Sequence, residues 1–157
     1  YAYLNRRTMA DTILKEMKLH EVESFTTMHN YIDIEHMIVR KGAVSAQKDE
    51  QLIIPINMRD GSLLCTGKGN EDWNYSAPHG AGRLMSRSVA KNSLSVSEFK
   101  QTMEDAGIFS TCVGKGTLDE SPMAYKTMDD IVRNIKDTVS INKVIKPIYN
   151  FKSGEEE

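Results

Sequence analysis

The stretch Pro78-His79-Gly80-Ala81-Gly82-Arg83-Leu84-Met85-Ser86-Arg87 decides how the rest of this chain is read. One histidine stands between a proline and a Gly-Ala-Gly turn, and Arg83, Arg87 and Lys91 follow at four-residue spacing. The two glycines permit backbone conformations that other residues avoid, and they let a bulky ligand approach the main chain. A helix starting directly after them would aim unpaired N–H groups at an anion and gather the three cations into one stripe. A neutral imidazole can attack a nucleotide α-phosphorus and hold the nucleotidyl group as a phosphoramidate. Its ordinary pKa near ~6.5 leaves much of it unprotonated at neutral pH. The competing reading is a plain glycine-rich turn with a surface histidine, followed by a solvated, charged helix face.

Outward from this stretch, helices and short strands alternate without a repeat. Asn5 to Leu19 reads as a helix with Met9, Ile13 and Met17 on one face. Met37-Ile38-Val39, Leu52-Ile53-Ile54 and Leu63-Leu64-Cys65 read as strands, the last two flanking a loop marked by Pro55 and Asp60-Gly61. Ser95-Val96-Ser97-Glu98 is a capping box for a helix that stops at Gly107. Ile108 to Val113 reads as a strand, Thr127 to Asp130 as a second acidic helix start, and Lys143 to Phe151 as extended, with Pro147 favouring an edge. The fold class expected is α+β, with mixed short strands and packed helices.

Composition narrows the function classes. A chain of 157 residues fits one domain, yet 39% hydrophobic residues is low for a self-sufficient globule, as in a piece that needs a partner segment. A net charge of −2 and a pI near 6.1 carry no global nucleic-acid signal, so RNA contact must come from a local patch, Arg83, Arg87 and Lys91 being the best placed. No apolar run approaches membrane length and no signal peptide stands at this end. Cys65 and Cys112 lack metal-type spacing, which favours a reducing, cytoplasmic setting. His29, Asp33 and His36 are close enough to suggest a local metal site, but two or three ligands so near in sequence rarely suffice, and His36 reads better as solvated or hydrogen-bonded. His20, past a helix end, suits the helix dipole. The Trp73-Asn74-Tyr75 cluster reads as packing, and Lys68 and Lys115, each within Gly-Lys-Gly, lack P-loop spacing.

The run His79-Gly80-Ala81-Gly82-Arg83 with Met85-Ser86-Arg87 resembles the signature of the RtcB family, RNA-splicing ligases that join RNA 3′-phosphate and 5′-hydroxyl ends. The likeness continues in order in both directions. Asn5-Arg6 is similar to the family's Ala-Asn-Arg helix, His29-Asn30 to its metal-binding pair, and Arg40-Lys41-Gly42-Ala43 to its Arg-Lys-Gly-Ala turn. Pro55 to Ser62 is similar to its Pro-Gly-Ser-Met loop and following serine, and Ala124-Tyr125-Lys126 and Lys152 also have counterparts. The loop departs from the pattern, reading Pro55-Ile56-Asn57-Met58, and the terminal Lys-Gly is Lys152-Ser153-Gly154 before three glutamates. These departures point to a divergent branch, where ligation of broken RNA is plausible beside tRNA splicing.

The resemblance implies GTP and manganese as cofactors and a covalent histidine–GMP intermediate on His79. It implies His29 as a metal ligand. It implies nucleotide contacts from Asn30, Pro55, Ile56, Asn57, Met58, Ser62, Gly80, Ala81, Gly82, Tyr125 and Lys152. Arg83 and Arg87 are the candidate RNA contacts. Family members are longer, and an upstream half brings an aspartate, a cysteine and two histidines to the metal site. Residues 1–154 are therefore expected to be the C-terminal part of one catalytic domain, with 155–157 as an acidic tail. The partners implied are RNA with 3′-phosphate and 5′-hydroxyl ends, the upstream half of the same protein, and an activator such as archease, which some members use. The alternative is a nucleotide- or RNA-binding module that has lost ligase activity. A histidine phosphotransfer protein is the poorest reading, since those present the histidine on a helical bundle.

Overall fold

The computed structural model describes residues 1–151, so Lys152 and the acidic 155–157 end lie outside the described residues. In chain order the elements are α1 (Ala2–Met17), β1 (Asn30–Asp33), β2 (Ile38–Lys41), β3 (Ala43–Ser45), β4 (Gln51–Asn57), β5 (Gly61–Gly67), β6 (Ser76–Pro78), α2 (Arg87–Ser93), α3 (Val96–Asp105), β7 (Phe109–Ser110), α4 (Met128–Asn134), β8 (Val139–Ile145) and β9 (Tyr149–Asn150). Short 3-10 turns occur at Glu71–Trp73, Lys115–Glu120 and Pro122–Ala124. Helices and small antiparallel sheets are mixed along the chain, an α+β fold.

The central sheet follows from alternation. Leu52, Ile54 and Ile56 on β4 and Leu63 and Cys65 on β5 all point inward, because successive strand residues face opposite sides. β5 lies between β4 and β8, antiparallel to both. Ile131 and Ile135 of the α4 region cover the buried face, with Val44, Ala77 and Ala81 closing the cluster. The register slips at Ile56, between the Pro55–Ser62 and Asn57–Gly61 pairs, a bulge that bends the strand end toward the histidine turn. A second cluster forms around Phe99, Met103, Ile108 and Leu118, because the Ser95 hydroxyl caps α3 and aims its apolar face at the Lys115–Glu120 turn.

Burial decides thiol chemistry. Cys65 is fully buried, and loss of solvation pushes its thiol up to about 11, whereas Cys112 is half-buried beside the Ser110 hydroxyl. Ellman's reagent at neutral pH should therefore modify Cys112 in the native protein and reach Cys65 only in denaturant. Equal native rates for the two thiols would contradict this packing.

Four expectations meet a different outcome. The helix does not start after Gly82: that residue has φ +72, Arg83 pairs as a bridge with Tyr125, and Ser86 caps α2 only at Arg87. The expected strand over 108–113 shrinks to β7, because the Thr117 hydroxyl bonds the Cys112 carbonyl and the Gly114 N–H and folds the segment into a turn. Trp73 sits on a 3-10 turn with 54% of its surface exposed, so it is not packing. The loop expected from Pro55 starts later, because β4 runs on through Pro55, opposite Ser62, to Asn57. Helix α1 is found as expected; Lys18 in the left-handed region ends it, and Met9, Ile13 and Met17 stay exposed. No helix among the described residues is long and apolar enough to cross a membrane.

Candidate active site

Gly42 is the joint of the site. It follows the β1–β2 hairpin, and its φ of +69 is a conformation that glycine adopts without strain. Its N–H donates to the His29 carbonyl at 2.8 Å and to Asn30 Oδ1 at 2.9 Å. Its carbonyl accepts from the His79 main-chain N–H at 3.4 Å and lies 2.6 Å from His79 Nδ1. A carbonyl oxygen only accepts, so Nδ1 carries the proton and Nε2 of the neutral ring keeps its lone pair. The His29 and His79 rings stack with centroids 4.9 Å apart and planes within 14°. Two segments that the sequence separates by fifty residues thus present adjacent imidazoles, as order along the chain alone could not reveal.

His79 opens onto a cavity of about 950 Å³, within the range of small-molecule sites. His29, Pro55, Ile56, Asn57, Met58, Ser62, Gly80, Ala81, Gly82, Arg83, Arg87 and Tyr125 all line it. Asn30 does not line it; its side-chain carbonyl oxygen accepts from the Gly42 N–H. The departures in the loop acquire a structural use. Ile56 is 3% exposed and packs in the core beside the cavity. The Asn57 amide is spent on the β4–β5 turn, accepting from the N–H groups of Arg59 and Asp60 and donating to Asp60 Oδ2 at 2.8 Å. Met58 packs against the Phe99 cluster, and the Pro55 carbonyl accepts from the Ala81 N–H at 3.1 Å, fixing the turn to β4.

Arg83, Arg87 and Lys91 do not form one helical stripe; they converge on Asp119 and Glu120 instead. Arg83 donates to the Asp119 carbonyl and to Glu120 Oε1 at 3.1 Å, and lies over the Tyr125 ring at 4.7 Å. Tyr125 O–H donates to Glu120 Oε2 at 2.5 Å; burial first, then this bond, pushes the phenol up to about 12, so it stays a donor. Arg87 and Lys91 meet the Asp119 carboxylate at 3.6 and 3.8 Å. The Arg87 side chain remains 73% exposed, and so long and solvated a pair is weak enough to exchange for a phosphate. Neither acid is evident from its own surroundings in sequence. The only hint is that Asp119-Glu120 precedes Ser121-Pro122-Met123-Ala124-Tyr125 directly.

The hairpin behind the histidines is tied by a buried guanidinium. Arg40, 3% exposed, donates to Asp33 Oδ2 and Tyr31 Oη at 2.8 Å, to Ser76 Oγ at 2.9 Å and to the Tyr75 carbonyl at 3.2 Å. The Arg40 hydrogen bond, helped by His36, holds the Asp33 carboxyl at about 2. His36 is hydrogen-bonded through Nδ1 to Asp33 at 3.1 Å, as read from its position. With Asp33 turned to Arg40, no three His, Cys, Asp or Glu side chains among the described residues converge as a metal would need. The described residues do not by themselves fit a manganese site.

Fold and site together define an α+β chain in which a turn-borne histidine faces an arginine-edged cavity. Comparison with known proteins gives this class its family. The family model for tRNA-splicing ligase RtcB matches residues 1–153. RNA-splicing ligase RtcB1 of one Escherichia coli strain is 31% identical over 175 residues, covering 97% of this chain and 41% of that protein. RNA-splicing ligase RtcB of Escherichia coli K12 is 30% identical over the same coverage. The tRNA-splicing ligase RtcB of Aeropyrum pernix is 33% identical over 99 residues, 61% of this chain and 20% of that protein. The chain belongs to the RtcB family, and it spans about two-fifths of the length of the first two of these relatives.

Proposed function

We propose that this chain is the nucleophile-bearing part of an RNA ligase that joins an RNA 3′-phosphate, or 2′,3′-cyclic phosphate, to a 5′-hydroxyl at the expense of GTP. The observation that carries this reading is the Nδ1 contact of His79 with the Gly42 carbonyl at 2.6 Å, which frees Nε2 at the edge of the cavity. Nε2 attacks the α-phosphorus of GTP, forming an N–P bond as pyrophosphate leaves with the P–O electron pair. An oxygen of the RNA 3′-phosphate, which water releases from a 2′,3′-cyclic phosphate by breaking the bond to the 2′-oxygen, then displaces the imidazole and takes the guanylate. Finally the 5′-hydroxyl attacks the 3′-phosphorus, losing its proton, and GMP departs as the phosphodiester closes. Arg83 and Arg87 bind the phosphates, and Ser62, Tyr125 and Lys152 read the guanosine. Manganese, held by His29 with ligands from elsewhere, would lower the charge barrier between the anions.

A covering segment is part of this proposal. The exposed Met9, Ile13 and Met17 row of α1, and the buried Nε and Nη2 of Arg6 without a hydrogen-bond partner among the described residues, both support one. That segment is the upstream half, carrying the remaining metal ligands, and the setting is the cytoplasm. RNA repair or tRNA splicing, with or without an archease-like activator, is compatible with this chemistry.

The complete gene product, given GTP and manganese, is expected to seal a 3′-phosphate RNA to a 5′-hydroxyl RNA, while residues 1–157 alone bind manganese weakly and seal nothing at ordinary rates. Failure of the complete protein to join the ends, with GTP still bound, would favour the alternative, a nucleotide- or RNA-binding module that has lost ligase activity. Robust sealing by the isolated chain would overturn the covering segment.

A further inference from the structure

The position of His79 is set by its own main chain, which follows β6 where Pro78 pairs with Ala43 of β3, and by the Gly42 carbonyl at the junction of β2 and β3. Between them the backbone is strained. Asn74 and Tyr75 are consecutive at φ 53 and 50; asparagine, the left-handed cap of the Glu71–Trp73 turn, tolerates this conformation, whereas a tyrosine keeps it only where the surroundings over-determine it. The Arg40 guanidinium reaches both carbonyls of this pair, the Tyr75 carbonyl accepting also from the Ala46 N–H at 2.8 Å. It donates directly to Tyr75 O at 3.2 Å, and it reaches Asn74 O through Ser76, whose hydroxyl accepts from Nε at 2.9 Å and donates to Asn74 O at 2.7 Å. On its other side Nη1 grips Tyr31 and Asp33 of β1. The fork therefore spans the hairpin that ends at Gly42 and the turn that leads into His79.

We infer that Arg40 is a positioning residue for His79, clamping the Asn74–Tyr75 turn to the β1–β2 hairpin so that the Gly42 carbonyl selects the Nδ1–H tautomer. A buried ion pair contributes little net stability against its desolvation. A planar fork that fixes four partners from two segments contributes geometry, which a lysine ammonium on a flexible stem does not reproduce. Without the fork the turn loses its tie to the β1–β2 hairpin, the end of β6 shifts against β3, and the 2.6 Å contact is the first to lengthen. The functional weight of this inference rests on His79 being the nucleophile; the geometric statement does not.

The test is the tautomer of His79, read by long-range proton–nitrogen NMR on the uniformly labelled full chain at a pH where the ring is neutral. The native chain should show Nδ1–H as the major form. In Arg40→Lys and Arg40→Met the ratio of Nδ1–H to Nε2–H should fall roughly fivefold, the worth of about one hydrogen bond, while amide spectra still report a folded protein. Folded Arg40 variants with the native ratio would overturn the inference. If neither variant folds, Ser76→Ala decides: it removes the link to Asn74 alone and should lower the ratio in the same direction, and an unchanged ratio would overturn the inference. A tautomer shift in a protein whose His79 never accepts guanylate would sink the ligase reading and leave this one standing.

Discussion

Replacing His79 with alanine in the complete protein is expected to reduce covalent guanylylation by more than about a thousandfold, since no other group replaces a lost nucleophile. The fold should survive. His79 is solvent-exposed, and apart from stacking on His29 its side chain makes one hydrogen bond, to Gly42, so the melting temperature should move by only about 2–4 °C. Filter-bound radioactivity from GTP labelled at the α-phosphorus measures the first quantity, and thermal unfolding the second. A variant that keeps its label would place the nucleophile elsewhere. A variant that loses its label because it has unfolded would be recognised by its melting curve.

The second large effect is structural. Phe99→Ala should destabilise the protein by about 3–5 kcal/mol, through lost burial and the cavity left behind. Phe99 is 0% exposed and fills the cluster with Met103, Ile108 and Leu118. That cluster supports Met58 at the cavity wall and the Lys115–Glu120 turn whose acids hold Arg83 and Arg87. Such a loss is a large share of the roughly 5–15 kcal/mol that holds a typical domain together. Chemical denaturation should show it as a lower midpoint, with nucleotide affinity weakened in the variant while it is still folded. A loss below about 1 kcal/mol would mean that the α3 cluster is not a core.

Regular elements were legible where local chemistry dictates them. The run Leu52-Ile53-Ile54 marks a strand, though Pro55 hid its continuation to Asn57, and Ser95 with Glu98 marks a helix start, because both signals act within a few residues. The histidine turn was legible as a turn. Its sequel was not, since the four-residue spacing of Arg83, Arg87 and Lys91 imitates a helix that Gly82 and the Ser86 cap interrupt. What organises those cations is the acid pair Asp119 and Glu120, distant in sequence from all three, a tertiary contact without local signature. The same holds for Arg40, which the sequence places in a recognisable motif but whose partners Tyr75 and Ser76 arrive from another strand. Asn57 illustrates the converse: an amide at a loop tip can serve a ligand or its own backbone, and here Asp60 and Arg59 claim it.

The most direct measurement of the central claim is the mass-spectrometric location of the guanylate. The complete protein is incubated with GTP and manganese, digested under alkaline conditions that spare a phosphoramidate, and its peptides are sequenced by fragmentation. One guanylate mass on the peptide containing His79, lost on mild acid treatment, is the expected result. A guanylate on any other residue, or none on a protein that seals RNA, would contradict the account.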